Sequence, residues 1–305
     1  MYLGVYTACL PGVPLEEKVL WAREHGFKGL ELACWPLDNS RDYSATDIDV
    51  DNLDEARAEE IKALFAENAM RISSLGYYDN NLSHDPEKKA FVNKHSYKVI
   101  DAAHLLGVDI VGLFIGRNID KNMEENFDEF EEVFKPIVEY AGERGIKIVI
   151  ENCPMLNWHE PGKPGTISYS PELWDEMFRR IPAENFGLNF DPSHLLHLLI
   201  DYLPLISIYK DRIFHVHAKD AEIFEERLNY YGIMDRQLGQ GEGWWRFRMP
   251  GMGQVDFRGL VEALEEIDYD GVISIEHEDP LYEGSHEKIY EGLALGYDFL
   301  SQYIK

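Results

Sequence analysis

Cysteine is scarce in this chain of 305 residues. Only Cys9, Cys34 and Cys153 are present, and they are far apart in the sequence. This number and spacing exclude a disulfide framework and a metal cluster built on thiolates, because both need more cysteines or closer ones. We therefore expect three buried or partly buried free thiols.

Long hydrophobic runs are also missing. The first residues, MYLGVYTACLPG, lack the basic start and the apolar stretch of a signal peptide. No window reaches the roughly 18 consecutive apolar residues that a membrane-spanning helix needs. The sequence therefore predicts a soluble, cytoplasmic protein with no membrane partner.

Positive charge is in short supply. The chain has 29 lysines and arginines against 56 aspartates and glutamates, which gives a formal net charge of −27. The resulting negative field repels polyanions, so we exclude nucleic acid as a partner. A small neutral substrate is unaffected by this field, and a divalent cation is attracted by it.

Short strand-like runs recur along the chain, and helical spacing of apolar residues follows each of them. The eight runs lie at residues 3–6, 29–32, 71–76, 109–114, 146–151, 186–191, 213–217 and 271–276. Helices are predicted between them at residues 15–25, 54–68 and 127–144. Ser170 and Pro171 are typical of the start of another helix.

This alternation, without a linker-like tract, predicts one (β/α)8 TIM barrel domain over residues 1–305. A doubly wound open sheet is the alternative, but no G-x-G-x-x-G motif follows the first strand, as a dinucleotide-binding fold would need. Two connections, residues 152–169 and 221–255, are longer than a barrel requires. Loops of that length in a compact domain are usually functional, and we expect these two to close over a substrate.

Four consecutive predicted strands end in residues that can bind a metal. Glu151, Asp191, His217 and Glu276 close strands five to eight, and the ends of barrel strands meet at one mouth. Three crowded carboxylates repel one another unless a cation lies between them. In the run FHVHAKD, strand alternation places His215 on the same face as His217 but one layer lower, where packing or support of the ligands is expected.

The sequence thus predicts one divalent metal ion at this mouth. A set of oxygen ligands with one nitrogen favours Mn²⁺, with Mg²⁺, Co²⁺ and Zn²⁺ as alternatives. A single acidic residue at a strand end is more often a helix cap, so the prediction depends on four such ends in succession. His194, three residues after Asp191, is expected to turn its imidazole to the same mouth.

Other side chains are candidates for contact with a substrate. Aromatic rings suit the C–H faces of a sugar, although each ring could equally be packing within a loop. The candidate aromatic residues are Trp35, Tyr77, Tyr78, Phe114, Trp158, Trp244 and Trp245, and the candidate cations are Arg117, Lys219, Arg246 and Arg248.

The remaining histidines are given no role in the site. His197 lies in the apolar run LLHLLI, and we expect a core or interface residue with its hydrogen bonds satisfied. His84, His159 and His277 are expected at the surface or in loops.

Five motifs carry a resemblance that runs over essentially the whole chain. The motifs ENCP, NFDPSH, HVHAKD, PGMGQVDF and GVISIEHED resemble those of the xylose isomerase-like barrels, which include sugar phosphate isomerases and ketose 3-epimerases. The resemblance implies a metal held by Glu151, Asp191, His217 and Glu276. It also implies that Glu151 and Glu276 face opposite sides of a substrate carbon, and that His194 binds a substrate oxygen.

We therefore expect a metal-dependent isomerase or epimerase of a keto-sugar or 3-keto-glycoside, with proton transfer through a metal-bound enediolate. The alternatives are a 3-keto-glycoside lyase or hydrolase and a non-catalytic carbohydrate-binding barrel. The two long loops differ from the shorter ones of ketose epimerases, which favours a larger substrate. The related apurinic-site endonucleases are excluded, because strands two to four end without histidine. Homo-oligomerisation is left open.

Overall fold

The predicted strands are all present, together with two more. The computed structural model describes residues 1–38, 44–156, 158, 163–236, 238 and 243–304. Its strands are β1 (Tyr2–Tyr6), β2 (Gly29–Ala33), β3 (Arg71–Tyr77), β4 (Ile110–Leu113), β5 (Lys147–Glu151), β6 (Phe186–Phe190), β7 (Ile213–Ala218), β8 (Asp220–Ile223), β9 (Trp245–Arg248) and β10 (Val272–Ile275).

Eight of these strands close a parallel barrel in the order β1-β10-β7-β6-β5-β4-β3-β2. The register joins the first and last strands, since Gly4 pairs with Ser274 across β1 and β10 and with Gly29 across β1 and β2. The predicted (β/α)8 barrel is confirmed, and the open sheet is excluded because the ladder has no free edge.

Helices cover the outside of the barrel. They are α1 (Leu15–Glu24), α2 (Glu55–Glu67), α3 (Pro86–Leu106), α4 (Met123–Gly142), α5 (Pro171–Arg180), α6 (Pro192–His197), α7 (Leu203–Ile208), α8 (Glu225–Tyr231), α9 (Phe257–Glu266) and α10 (His286–Leu300). The apolar faces of these helices, except for α8, form one buried core with the strands. The three cysteines are buried and free, as predicted. No described helix combines the length and the apolar character required to cross a bilayer.

Two predicted helix starts differ from the structure in detail. Helix α4 begins four residues before the predicted Phe127, because Asn122 and Glu125 form a reciprocal capping box. Ser170 does precede α5, with Pro171 in the first turn, but its hydroxyl makes no capping hydrogen bond.

Part of the long connection predicted at residues 221–255 is regular structure. Strands β8 and β9 form an antiparallel pair in which Ala221 lies opposite Phe247 and Ile223 opposite Trp245. Helix α8 lies between them. By contrast, the described residues of the other long connection, within 152–169, form neither helix nor strand.

The last residue of HVHAKD anchors the PGMGQV segment to the barrel mouth. Asp220 accepts hydrogen bonds from the backbone N–H groups of Gly251, Gly253 and Val255 at 3.0, 2.8 and 2.9 Å. A Cβ atom at Gly253 would lie 2.3 Å from the backbone oxygen of Ala221, so only glycine fits there. The two motifs are therefore one structural unit that fixes where the β8–β9 hairpin ends.

Candidate active site

The four residues predicted as ligands lie together at the carboxyl ends of the barrel strands. Glu151 ends β5, Asp191 precedes α6, His217 lies in β7 and Glu276 directly follows β10. Each offers one donor atom, and these four atoms all lie within 4.8 Å of one another. All four residues are buried.

Backbone contacts aim the carboxylate of Asp191 into this cluster. The side-chain amide of Asn152 bonds both the N–H and the C=O of Asp191 at 2.8 Å, which ties the end of β6 to the end of β5. One carboxylate oxygen, Oδ1, accepts from the N–H of Ser193 at 2.7 Å and caps α6. The other, Oδ2, is left to face the cluster, so this aspartate is both a helix cap and a candidate ligand.

The ring of His217 lies between one carboxylate at Nε2 and two carboxylates at Nδ1. Its Nε2 lies 2.8 Å from Oε2 of Glu31, a residue of β2. Its Nδ1 lies 3.1 Å from Oε2 of Glu276 and 3.5 Å from Oε1 of Glu151. His215 lies deeper, where its ring nitrogens contact Asn189 and Ser74, which agrees with the expected supporting position.

These residues fit a divalent cation. Oδ2 of Asp191 and Nδ1 of His217 are buried, yet neither makes a hydrogen bond with a residue that the structure describes. Charged neighbours lie 3.1 to 3.5 Å from these two atoms, and both atoms are good metal ligands. Three carboxylates with one imidazole suit Mn²⁺, Mg²⁺, Co²⁺ or Zn²⁺.

Lys219 places its ammonium group among the same carboxylates. The distances from Nζ are 2.7 Å to Glu276, 3.3 Å to Glu278, 3.4 Å to Asp191 and 3.8 Å to Glu151. Burial alone lowers the pKa of Lys219, but the carboxylates outweigh it and raise this pKa well above its usual value. The lysine is therefore a permanent cation beside the candidate ligands.

The carboxylates of the cluster differ in their proton affinity. Burial, reinforced by the charges of Glu276 and Glu151, raises the pKa of Asp191 to about 7 against the opposing effect of Lys219. Burial also acts to raise the pKa values of Glu151 and Glu276, but Lys219 and His217 leave both lowered. In all three groups the charge of neighbouring carboxylates acts to raise the pKa, and a divalent cation would relieve this repulsion.

The pKa values of the two histidines of the site, His194 and His217, are shifted in opposite directions. Burial, followed by the charge of Lys219, lowers the pKa of His194 well below its usual value. Burial also acts to lower the pKa of His217, but the charges of Glu31 and Glu276 outweigh burial and raise this pKa well above its usual value. His194 is thus neutral, with its Nε2 at 3.1 Å from Oε1 of Glu151 and 3.5 Å from Oδ2 of Asp191.

A cavity of about 200 Å³ opens directly onto this cluster. Glu151, Glu276 and Lys219 form one side of it. The other described lining residues are mainly aromatic or sulfur-containing: Tyr6, Ala8, Cys9, Trp35, Tyr78, Phe114, Cys153, Met155, His277 and Glu278. An apolar wall with a few convergent charged groups is the usual form of a small-molecule site.

The predicted substrate contacts divide into two groups. Tyr78, Phe114 and Lys219 line the cavity, and Trp158 lies beside it, with its ring centroid 6.0 Å from that of Phe114. His194 is buried next to the candidate ligands.

The second group lies outside the described lining of the cavity. Trp244 is buried, and Trp245 stacks on His197 with ring centroids 3.9 Å apart. The guanidinium of Arg248 bonds Glu222 and Asp279, which joins the hairpin to the segment after β10. The guanidinium of Arg248 is therefore engaged by two carboxylates, and its contact with a substrate stays a prediction.

One histidine expectation needs correction and another needs detail. His277 lies in the loop after β10, which agrees with the expectation of a surface or loop residue, but it is buried and lines the cavity. His197 is buried as expected, but neither of its ring nitrogens makes a hydrogen bond with a described residue, so it is not satisfied. His84 is exposed, and His159 lies outside the described residues.

Sequence reasoning missed several residues that hold the site together. These are Glu31, Asn152, Asn189 and Glu278. A signal existed for Glu31, since a charged residue inside the short strand GLELA must find a partner in the barrel interior. Asn152 and Glu278 each lie within a recognised motif, next to or two residues from a predicted ligand.

The chain belongs to the xylose isomerase-like TIM barrel family, because residues 19–298 match the model of that family. An inosose dehydratase from Lacticaseibacillus casei is 33% identical over 191 residues, which cover 62% of this chain and 61% of the relative. The match thus spans less than two thirds of that protein.

Solved structures share the fold over the full chain. The IOLI protein with a binding zinc atom has a TM-score of 0.72 at 19% identity, covering 100% of both chains. D-psicose 3-epimerase with D-tagatose, from Clostridium cellulolyticum H10, has a TM-score of 0.69 at 15% identity, also covering 100% of both chains. At these identities the likeness concerns the fold.

Proposed function

We propose that this protein is a divalent-metal-dependent isomerase or epimerase that moves a proton on the carbon next to the carbonyl of a keto-sugar. The observation that carries this proposal is that Glu151 and Glu276 belong to the ligand cluster and also line the cavity. A purely structural metal site needs ligands but not carboxylates that reach a substrate.

The bound ion would polarise the substrate carbonyl and its neighbouring hydroxyl, which makes the adjacent C–H bond more acidic. Glu151 and Glu276 have lowered pKa values, so both are ionised and able to accept a proton. One carboxylate takes the proton from carbon, and the other, after taking up a proton from water, delivers that proton to the opposite face of the same carbon. The configuration at that carbon is then inverted.

Neighbouring groups stabilise the charge that develops on the substrate. The ammonium of Lys219 lies at the wall of the cavity and balances negative charge that spreads onto the carbonyl oxygen. We assign the binding of a substrate oxygen to the neutral imidazole of His194, whose Nε2 lies 3.1 Å from Oε1 of Glu151. The rings of Tyr78 and Phe114 cover the apolar faces of a sugar.

A second candidate is dehydration, and the similarity to inosose dehydratase favours it. The first step is the same: a carboxylate removes the proton next to the carbonyl. A hydroxyl group on the next carbon then leaves as water, and its added proton comes from Glu278, whose pKa burial raises to about 7 and whose carboxylate lies 3.3 Å from Lys219. Expulsion of a sugar or aglycone from a 3-keto-glycoside would follow the same course.

The test is a substrate panel with and without metal. The panel contains an inosose, D-tagatose and a 3-keto-glucoside, each incubated with Mn²⁺, with Zn²⁺ or with chelator. We expect turnover only with metal, with an epimer formed by the first mechanism and a dehydrated or cleaved product by the second. Metal and sugar binding without any product would indicate a non-catalytic barrel.

Metal content provides the control for the panel. We expect close to one ion per chain in the native protein and loss of that ion in Asp191→Ala. Glu129→Gln is the matched variant, because it alters a buried, ion-paired carboxylate on α4, outside the cavity lining and the ligand cluster. Full metal retention in Asp191→Ala would remove the proposed ligand set.

A further inference from the structure

We propose that Glu31 is a positioning residue that selects Nδ1 of His217 as the nitrogen facing the metal. The inference deepens the proposed metal-dependent function and rests on it. Glu31 belongs to β2, which β1 and β10 separate from β7, so the contact with His217 crosses the barrel interior.

Both carboxylate oxygens of Glu31 are fixed by side chains. Oε2 lies 2.8 Å from Nε2 of His217, and Oε1 accepts a hydrogen bond from the hydroxyl of Tyr78 at 2.6 Å. The residue is fully buried. A carboxylate accepts hydrogen bonds only, so this contact requires a proton on Nε2 of His217. When a cation is bound among the carboxylates, the proton stays on Nε2 and Nδ1 faces the cation with its lone pair.

The other neighbour of Nε2 favours the opposite tautomer. Nδ2 of Asn189 lies 3.0 Å from this nitrogen, while Oδ1 of Asn189 is turned to Nδ1 of His215 at 2.9 Å. The amide nitrogen can only donate, so by itself it would favour an unprotonated Nε2 and place the proton on Nδ1. That proton would point at the ligand cluster and oppose metal binding. Glu31 is the acceptor, among the described residues, that reverses this preference.

A second metal site at Glu31, His215 and His217 is the competing interpretation, because their donor atoms also cluster. The surrounding hydrogen bonds argue against it. Nε2 of His215 contacts Oγ of Ser74 at 3.1 Å, and Nε2 of His217 is already engaged by Glu31. A carboxylate that orients a metal-binding imidazole through its other ring nitrogen is a common arrangement.

Zinc affinity is the first readout, measured by competition with a chromophoric chelator. Loss of such an outer partner typically weakens metal binding about 10- to 100-fold, and we expect that loss for Glu31→Ala. Glu31→Gln retains an oxygen that accepts from Nε2–H, so its loss should be smaller. Glu129→Ala, which removes an ion-paired buried carboxylate on α4, should bind zinc like the native chain.

Nuclear magnetic resonance of the chain labelled with ¹⁵N in histidine is the second readout. In the native zinc-loaded protein we expect the His217 proton on Nε2 and none on Nδ1. The same spectrum of Glu31→Ala should lose the slowly exchanging Nε2–H signal. A general loss of packing would not move a single ring proton in this way.

Three results would overturn the inference: a native His217 protonated on Nδ1, unchanged zinc affinity in Glu31→Ala, or no zinc binding by the native chain. If Glu31→Ala does not fold, the native spectrum and Glu31→Gln still decide. Neither readout uses a sugar, so a failure of the proposed catalysis is distinguished from a failure of this inference.

Discussion

The ligand cluster and the β8–β9 hairpin lie on the same side of the barrel but are built differently. Every candidate ligand is buried at the end of a barrel strand, and neighbouring side chains or backbone groups fix it. Helix α8, within the hairpin insertion, has no buried residue. The segment around it exposes large apolar side chains at Tyr230, Ile233, Met234 and Leu238.

The difference in burial suggests that the two regions have different tasks, one in the reaction and the other in the choice of substrate. Metal ligands must be placed within fractions of an ångström, and closed parallel strands provide that rigidity. A segment with little burial can change its sequence or position at small cost in stability. We therefore infer that the strand ends determine the reaction and that the hairpin contributes to the choice of substrate.

The largest expected effect lies in the ligand cluster. Glu151→Gln and Glu276→Gln each remove a proposed base, which typically lowers a rate by roughly 10² to 10⁴. Turnover of the best substrate from the panel measures this loss. Metal content must be determined in parallel, since both residues are also candidate ligands. Near-native turnover by either metal-loaded variant would break the assignment of chemistry to the strand ends.

The second effect concerns the support of the barrel mouth. Lys18 and Asp47 form a buried ion pair at 2.6 Å, and Asp47 also accepts from the N–H of Ala33 at the end of β2. Asp47→Ala leaves a buried ammonium without its partner, which should cost about 3 to 5 kcal/mol of unfolding free energy. Denaturant titration measures it. Glu262→Ala, in the exposed Arg258–Glu262 pair, should show no measurable change.

A smaller effect is expected in the hairpin. The ring of Trp245 lies face to face with that of His197. Loss of this stacking should lower the free energy of unfolding by about 0.5 to 1.5 kcal/mol, in addition to the loss from reduced burial. Trp245→Ala should raise the KM for substrate, with metal content unchanged. Trp245→Phe retains a stacked ring and serves as the control. A loss of metal in Trp245→Ala would show that the two regions are not separable.

The smallest expected effect is slower backbone amide hydrogen exchange in the hairpin when substrate is bound. If the hairpin closes on a bound sugar, backbone amide exchange in β9 (Trp245–Arg248) should slow at saturating substrate. Exchange in β5 should remain as slow as before, because that strand is already buried. Equal exchange in β9 with and without substrate would indicate a fixed wall.

Local patterns were enough to predict the barrel. Each strand is a short apolar run, and the ligands follow at strand ends, so spacing along the chain carries the information. The resemblance of five motifs added roles for Glu151, Glu276 and His194, which remain predictions.

Contacts across the barrel could not be predicted in this way. The pairing of Glu31 with His217 joins residues 186 positions apart, and that of Arg248 with Asp279 joins residues 31 apart. A charged residue inside a strand, such as Glu31, indicates that a partner exists, but the sequence does not show which distant residue that partner is. Residues 245–248, WRFR, alternate aromatic and basic side chains as a half-buried strand does, but the run is only four residues long and follows a glycine-rich segment, so the loop prediction missed β9.

The central claim is that this site exchanges a carbon-bound proton with a carboxylate. The most direct measurement is turnover of a panel substrate in deuterated water by the metal-loaded protein, followed by mass spectrometry and magnetic resonance of the sugar. We predict deuterium on the carbon next to the carbonyl, and greatly slowed labelling in Glu276→Gln. Turnover without label would contradict the account, provided that substrate deuterated at that carbon also keeps all its deuterium and reacts at the normal rate.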